Sequence, residues 1–237
     1  MGAPLGAVPL PPRAPWWPTI VAGAIAVTAS LVFAWLCDPV SEDDGITAHD
    51  PSILLDFVRH RDGLINATAR ATTFVAGAPV VIIAALAVGV YLWRRGAPLV
   101  WAAVPAGSVV LAALVATMGK HHFDRSRPPI ALRLVHESGP SFPSGHTTVG
   151  TAVAMAIGLV FATTVCNRTA IRVAWVAGAV LVSFAIGVGR LELGVHWPTD
   201  IVAGWAVGLA AAASCTAGAS VIGRVTRPPL GATARRN

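Results

Sequence analysis

Six stretches of this chain, residues 19–37, 71–93, 96–119, 147–167, 173–189 and 201–223, contain no charged side chain, and that repetition restricts the accessible folds more than any other feature. A helix needs roughly 20 predominantly apolar residues to cross a hydrocarbon core about 30 Å thick. The runs are of that order, the fifth being the shortest. Because a lipid core offers the backbone no hydrogen-bond partners, apolar runs that enter it must satisfy their own N–H and C=O groups as helices. The expected fold is therefore all-α: a polytopic membrane protein with a six-transmembrane-helix bundle. Residues 1–237 form one membrane-embedded domain in this reading, with tails at 1–18 and 224–237 and a core at 19–223. Composition agrees, because 55% of residues are hydrophobic and 12% charged, about half the charged fraction of a soluble domain. The first run exceeds the roughly 7–15 apolar residues of a signal peptide, so an uncleaved first helix is expected.

The arginines orient the bundle. Arg94 and Arg95 join the second and third runs, Arg168 and Arg172 the fourth and fifth, and Arg224, Arg227, Arg235 and Arg236 follow the sixth. Short basic loops of this kind stay in the cytoplasm. Both termini are then cytoplasmic, and every Asp, Glu and His is expected on the opposite side, in the loops after runs one, three and five. The first of those loops holds Asp50-Pro51-Ser52 followed by Ile53, Leu54, Phe57, Val58, Leu64 and Ile65, which predicts an interfacial helix on the extracytoplasmic side. The acidic cluster Glu42, Asp43 and Asp44 reads as a solvated loop, and Cys37, Cys166 and Cys215 as small hydrophobes. The net charge of +6 is dispersed between apolar runs and forms no basic stripe with interleaved aromatics, which excludes a nucleic-acid partner. A composition rich in Ala, Val, Gly and Arg with a single lysine resembles that of a high-GC bacterium, and places the protein in the cytoplasmic (inner) membrane.

Three short segments border the outer ends of the last four runs. Lys120 is followed by Arg127-Pro128, then come Pro143-Ser144-Gly145-His146, then Arg190, His196 and Asp200. Together they match what phosphoryl transfer requires. The transferring group carries charge on three equatorial oxygens, so catalysis is largely positioning and electrostatic stabilisation. Lys120, Arg127 and Arg190 supply cations for those oxygens. Ser144 stands at the N-cap position of the fourth run, where first-turn amides and the helix dipole favour an anion, and Gly145 allows close backbone approach. Two histidines permit division of labour between attack on phosphorus and acid–base work. The spacing favours His196 as nucleophile, because Asp200 lies one helical turn on and can orient its ring; Asp200 also suits the first turn of a helix after Pro198.

These segments resemble the three signature motifs of the type 2 phosphatidic acid phosphatase and vanadium haloperoxidase superfamily: Lys, six residues, Arg-Pro; Pro-Ser-Gly-His; and Ser-Arg, five residues, His, three residues, Asp. Gly189 replaces the serine of the third motif, which bears on how Arg190 is held. The resemblance implies phosphate binding by Lys120, Arg127, Ser144, Gly145 and Arg190, acid–base work by His146, nucleophilic attack by His196 through a phosphohistidine, and orientation by Asp200. It implies neither metal nor cofactor. The expected partners are the bilayer and a lipid phosphate: a polyprenyl diphosphate, phosphatidylglycerol phosphate or phosphatidic acid.

Three other readings compete with this one. Zinc binding would draw on His121, His122, His136, His146 and His196, but no paired ligand spacing exists and the neighbouring arginines would repel a cation. Vanadate-dependent haloperoxidation would use the same pocket, yet its representatives are largely soluble. A lipid-binding or transport protein with an inactive site would be expected to lack His146 or His196. His121, His122 and Asp124 fit the mouth of the site or solvent, and no spacing assigns a role to His136 or Glu137.

Overall fold

The computed structural model describes residues 16–166 and 168–225. Arg13, Asn167 and the tail arginines Arg227, Arg235 and Arg236 lie outside the described residues. Among those described there is no strand, and the helices are α1 (Trp17–Glu42), α2 (Asp50–Arg59), α3 (Gly63–Val75), α4 (Ala78–Arg94), α5 (Leu99–Ala102), α6 (Val104–Phe123), α7 (Gly145–Val160), α8 (Thr169–Glu192) and α9 (Pro198–Val225). Helices α1, α6, α8 and α9, and α7 continued by a π-helical turn at Phe161–Val165, are each long and apolar enough to cross a membrane. The pair α3–α4 satisfies the same test together, bent by 56°. The chain is an all-helical, multi-pass membrane bundle.

Proline sets several helix starts. Pro18, Pro51, Pro79 and Pro105 stand in the first turn of α1, α2, α4 and α6, where a missing N–H costs nothing and the fixed φ is already helical. The second apolar run is not one straight helix. Its break falls at Ala76 and Gly77, with Gly77 in an extended conformation ahead of Pro79. The single interfacial helix expected after α1 is likewise two helices, α2 and α3, and Asp62 starts the second by accepting the Ile65 N–H at 2.8 Å.

At the polar side of the bundle the charge-free runs stop short of the helix ends. Asp38 and Glu42 close α1, Lys120, His121 and His122 close α6, His146 opens α7, Glu192 closes α8 and Asp200 opens α9. The Asp, Glu and His side chains among them are expected in the outer loops, except that Asp200 also suits a first helical turn; all belong to helix ends, because a helix does not stop where its side chains become polar. All of them lie at one end of the bundle, since α1, α6 and α8 run towards it and α7 and α9 away from it.

Helix α9 is central, packing against α1, α6 and α7. With lipid tails as apolar as leucine, association in a membrane depends on close backbone approach. Here it is achieved by small residues: Ala112, Ala152 and Ala211 form one cluster, and a Cβ on Gly208 would stand 2.5 Å from the Thr148 carbonyl oxygen. The large apolar side chains Ile20, Leu31, Leu86, Leu114, Leu181 and Phe184 point outward, as a lipid-facing surface requires.

Candidate active site

The polar end of the bundle encloses a cavity of about 390 Å³ lined by Lys120, Arg127, Glu137, Gly145, His146 and His196, with Ala76, Ala78 and Val149 at its lower rim. Five of the eight residues singled out from sequence border it directly. Ser144, Arg190 and Asp200 are buried in its walls.

The nucleophile candidate is placed by helix-termination chemistry. Helix α8 ends in a left-handed residue, Gly194 at φ +69°, where any Cβ would meet the Leu132 carbonyl oxygen at 2.1 Å. The chain then turns through Val195 and His196 into α9, which opens with Pro198. Asp200 Oδ2 reaches back to accept the Trp197 N–H at 2.9 Å and also faces His196 Nδ1 at 3.2 Å. One carboxylate thus both caps α9 and orients the ring. On the other side of the ring, Arg127 Nη1 lies 3.1 Å from His196 Nε2. A guanidinium has only donors, so Nε2 carries the lone pair and Nδ1 the proton. Burial, then the charges of Arg190, Arg127 and Lys120, hold the imidazole well below the usual histidine range, which keeps that lone pair available.

The cations are arranged round the same space. Lys120 Nζ donates to the Pro140 carbonyl at 2.5 Å. Arg127 Nε donates to the Gly139 carbonyl at 2.9 Å and Nη1 to that of Val195 at 2.8 Å. Arg190, fully buried, pairs with Glu137 and donates to Thr73 Oγ1 at 3.3 Å, and its Nε has no hydrogen-bond partner among the described residues. A buried donor left open beside other cations suits an anionic ligand. Gly189 answers the question its sequence position raised: a Cβ there would stand 2.5 Å from Thr72 Oγ1 and 3.3 Å from Ala69 Cα. Helix α3 approaches so closely that a Cβ there would force Thr72 and the Ala69 backbone to shift, and Thr73 on the same helix holds Arg190.

Ser144 occupies the N-cap position of α7, but its side chain caps none of the first-turn amides; its Oγ accepts from Thr147 Oγ1 at 3.0 Å. A Cβ on Gly145 would stand 3.7 Å from Lys120 Cε, so the protein's own packing leaves room there and the pocket is what glycine keeps open. His146 Nδ1 is 4.0 Å from Glu137 Oε1.

Sequence reasoning missed Glu137, Arg125 and Asp50. Glu137 bridges Arg190, Arg127 and His146; although burial opposes its charge, Arg190 and then His146 and Arg127 hold its carboxyl below the usual carboxylate range. Arg125 spans Asp200 Oδ1 and Asp50 Oδ2, each at 2.8 Å. Its proximity to Arg127 was the one available signal. His121, His122 and His136 are exposed and contribute nothing to the pocket.

Comparison with known proteins identifies relatives of the chain. The chain is 38% identical over 92 residues to phosphatidylglycerophosphatase B of Bacillus subtilis (strain 168), covering 38% of this chain and 44% of that protein. It is 31% identical over 109 residues to undecaprenyl-diphosphatase of Sulfolobus acidocaldarius, covering 43% and 47%, and 33% identical over 110 residues to lipid A 1-phosphatase of Rhizobium johnstonii, covering 43% and 41%. The matches thus span less than half the length of these curated relatives. In three dimensions the fold superposes on the crystal structure of a transmembrane PAP2-type phosphatidylglycerolphosphate phosphatase from Bacillus subtilis with a TM-score of 0.74 at 21% identity, covering 85% of this chain and 97% of that one. Against LpxE of Aquifex aeolicus the score is 0.55 at 20% identity, covering 70% and 93%. Residues 101–222, which contain all three motifs, match the PAP2 superfamily, and this chain belongs to it.

Proposed function

We propose that the protein is a metal-independent phosphatase of an amphiphilic phosphate ester or diphosphate, acting through a phosphohistidine on His196 at the extracytoplasmic face of a bacterial inner membrane. One observation carries the lipid reading. Beneath the polar pocket, between α4, α7 and α8, runs an apolar groove of about 560 Å³, and its walls interleave with the pocket's: Val75, Val80 and Gly150 line the groove where Ala76, Ala78 and Val149 line the pocket. A phosphate among the cations therefore sits directly above a channel suited to a hydrocarbon chain. Three relatives whose names place their phosphates on phosphatidylglycerol, undecaprenol and lipid A support the same class of substrate.

The chemistry follows from the side chains. Lys120, Arg127 and Arg190 hold the equatorial oxygens, displacing the Glu137 carboxylate from Arg190. The His196 Nε2 lone pair forms the bond to phosphorus as the bond to the leaving oxygen breaks, and that oxygen takes a proton from His146. The phosphorylated ring is cationic, and Asp200 stabilises it through Nδ1–H. Water then attacks phosphorus, giving its proton to His146; the P–N bond breaks, inorganic phosphate leaves and His196 returns to its neutral form. Three protein cations do the electrostatic work, so no metal is required. The arginine-bearing ends Arg94, Arg95, Arg168 and Arg172, opposite the site, support its extracytoplasmic placement.

The test is phosphate release by the purified protein, in excess chelator, from polyprenyl diphosphates, phosphatidylglycerol phosphate, phosphatidic acid and soluble esters, with His196→Ala as control. Chelator-resistant release that the variant loses is expected. Release from none of them would return the transport or binding reading to the front.

A further inference from the structure

Behind the His196–Asp200 pair, away from the phosphate pocket, lies a second layer of buried charge drawn from distant parts of the chain. Asp200 Oδ2 is committed to His196 and the Trp197 amide; Oδ1 accepts from Arg125 Nη1 at 2.8 Å. The same Nη1 also donates to Thr199 Oγ1 at 2.8 Å, and Arg125 Nη2 donates to Asp50 Oδ2 at 2.8 Å. Asp50 closes the ring by accepting the Thr199 N–H at 3.0 Å and the Thr199 hydroxyl at 2.5 Å. Asp50, Asp200 and Thr199 are all buried, and the Arg125 side chain is 10% exposed. Neither Arg125 nor Asp50 borders the pocket where phosphate would bind.

The order of charges matters. An Asp200 neutralised by Arg125 alone would offer little to the imidazolium character that His196 acquires on phosphorylation. Asp50 compensates Arg125, so the cluster behind the ring keeps one net negative charge while the guanidinium fixes the direction of the Asp200 carboxylate. A buried charge without a partner is strongly unfavourable, and here every member has one. Asp50 opens α2, 150 residues before Asp200, so the interfacial helix contributes directly to this arrangement.

We propose that Arg125 and Asp50 are positioning residues for the nucleophile: Arg125 fixes the Asp200 carboxylate against His196, and Asp50 offsets the Arg125 charge so that Asp200 can support the phosphorylated ring. This rests on the phosphohistidine reading above. A clamp that only held the fold together would affect stability and all rates alike; an electrostatic relay has a sign. His196 is faced by Asp200 from α9, Lys120 from α6, Arg127 and Glu137 from the loop between α6 and α7, His146 from α7 and Arg190 from α8, and none of these changes in the variants below.

The experiment is the pH dependence of kcat and kcat/KM for hydrolysis of a soluble phosphate ester by wild type, Asp50→Asn, Arg125→Gln and the double variant. The acid limb of kcat/KM reports protonation of free His196. Asp50→Asn removes a negative charge, makes that protonation harder and moves the limb to lower pH; Arg125→Gln removes a positive charge and moves it to higher pH. The double variant falls between them. In Asp50→Asn, which is isosteric and keeps an acceptor for the Thr199 amide, kcat drops by about 10–100-fold, as when a metal-bound histidine loses its outer hydrogen-bond partner, while KM changes little. An unmoved limb with unchanged kcat, or shifts in the same direction for both single variants, overturns the proposal. Should Arg125→Gln fail to fold, the direction of the Asp50→Asn shift decides alone. A wild type that hydrolyses no ester refutes the phosphatase reading and takes this proposal with it, whereas an active wild type matched by Asp50→Asn removes this proposal only.

Discussion

If the groove between α4, α7 and α8 receives the substrate's hydrocarbon chain, filling it part-way down should change which chain lengths are accepted. Gly178 is the position for that change. It lines the groove, and a Cβ there meets no atom within 4 Å, so a side chain can start at this position, and Gly178→Leu also gains about 1 kcal/mol of helix propensity. On α8 it lies 12 residues before Arg190, or about 18 Å along the axis. The groove continues past Trp175, about 22 Å from Arg190 along α8, to Ile171. The assay is hydrolysis of alkyl phosphates of graded length by both proteins in the same detergent. Partition into micelles is common to the two, so the ratio of variant to wild-type kcat/KM at each length reports the groove alone. That ratio should be highest for the shortest chains and fall by about tenfold or more once the chain extends past Gly178, the discrimination typical of a methylene-scale misfit in an apolar pocket. A ratio independent of chain length would refute the groove as the chain's path.

Three further outcomes are expected. Arg127→Lys keeps a charge but cannot reach the Gly139 and Val195 carbonyls and His196 Nε2 together, so kcat should fall about 10²-fold; near-wild-type turnover would remove Arg127 from the role given to it. The wild-type acid limb of kcat/KM should lie below the ordinary histidine value of about 6.5, because a lowered His196 pKa preserves the neutral, attacking form as pH falls; a limb at or above that value would contradict the assigned nucleophile. Gly189→Ala forces a Cβ against Thr72 Oγ1 and the Ala69 backbone and should destabilise the protein by about 1–3 kcal/mol, read as a lowered Tm; an unchanged Tm would mean that α3 can retreat from α8 without cost.

What was legible in the sequence was whatever chemistry or the bilayer forces into a local pattern. The six apolar runs are such a pattern, as are the cation, serine–glycine–histidine and histidine–aspartate segments, each of which borders a helix end. The helix ends were less legible, because absence of charge marks where lipid begins rather than where the helix does; α8 is longer than its run at both ends and carries Arg190 and Glu192 in its last turn. The break between α3 and α4 did have a signature in Gly77 and Pro79. The partners of the site had almost none. Glu137 meets Arg190 across 53 residues, Arg125 meets Asp200 across 75, and Asp50 meets Thr199 across 149. Such pairings depend on which helix ends the bundle brings together, and no local spacing encodes that.

The exception is Asp200, whose two duties explain why the third motif was readable in isolation. Its carboxylate closes the first turn of α9 by accepting the Trp197 amide, and the same atom faces His196 Nδ1. The spacing of four residues that orients the ring is therefore the spacing that starts the helix, so local folding of 196–200 already brings the carboxylate to Nδ1, where Arg125 holds it while Arg127 donates to Nε2. The cations have no such local determinant: Arg127 and Arg190 take their places through carbonyls of residues 139 and 195, through Thr73 and through Glu137. On the proposed mechanism, a substitution within 196–200 should accordingly act on the nucleophile directly, while the cation cluster is exposed to changes in α3, in the 137–140 loop and at the end of α8. The tight packing of Gly189 on α3 thus helps to set where Arg190 stands, because Thr73 on that helix accepts from its guanidinium.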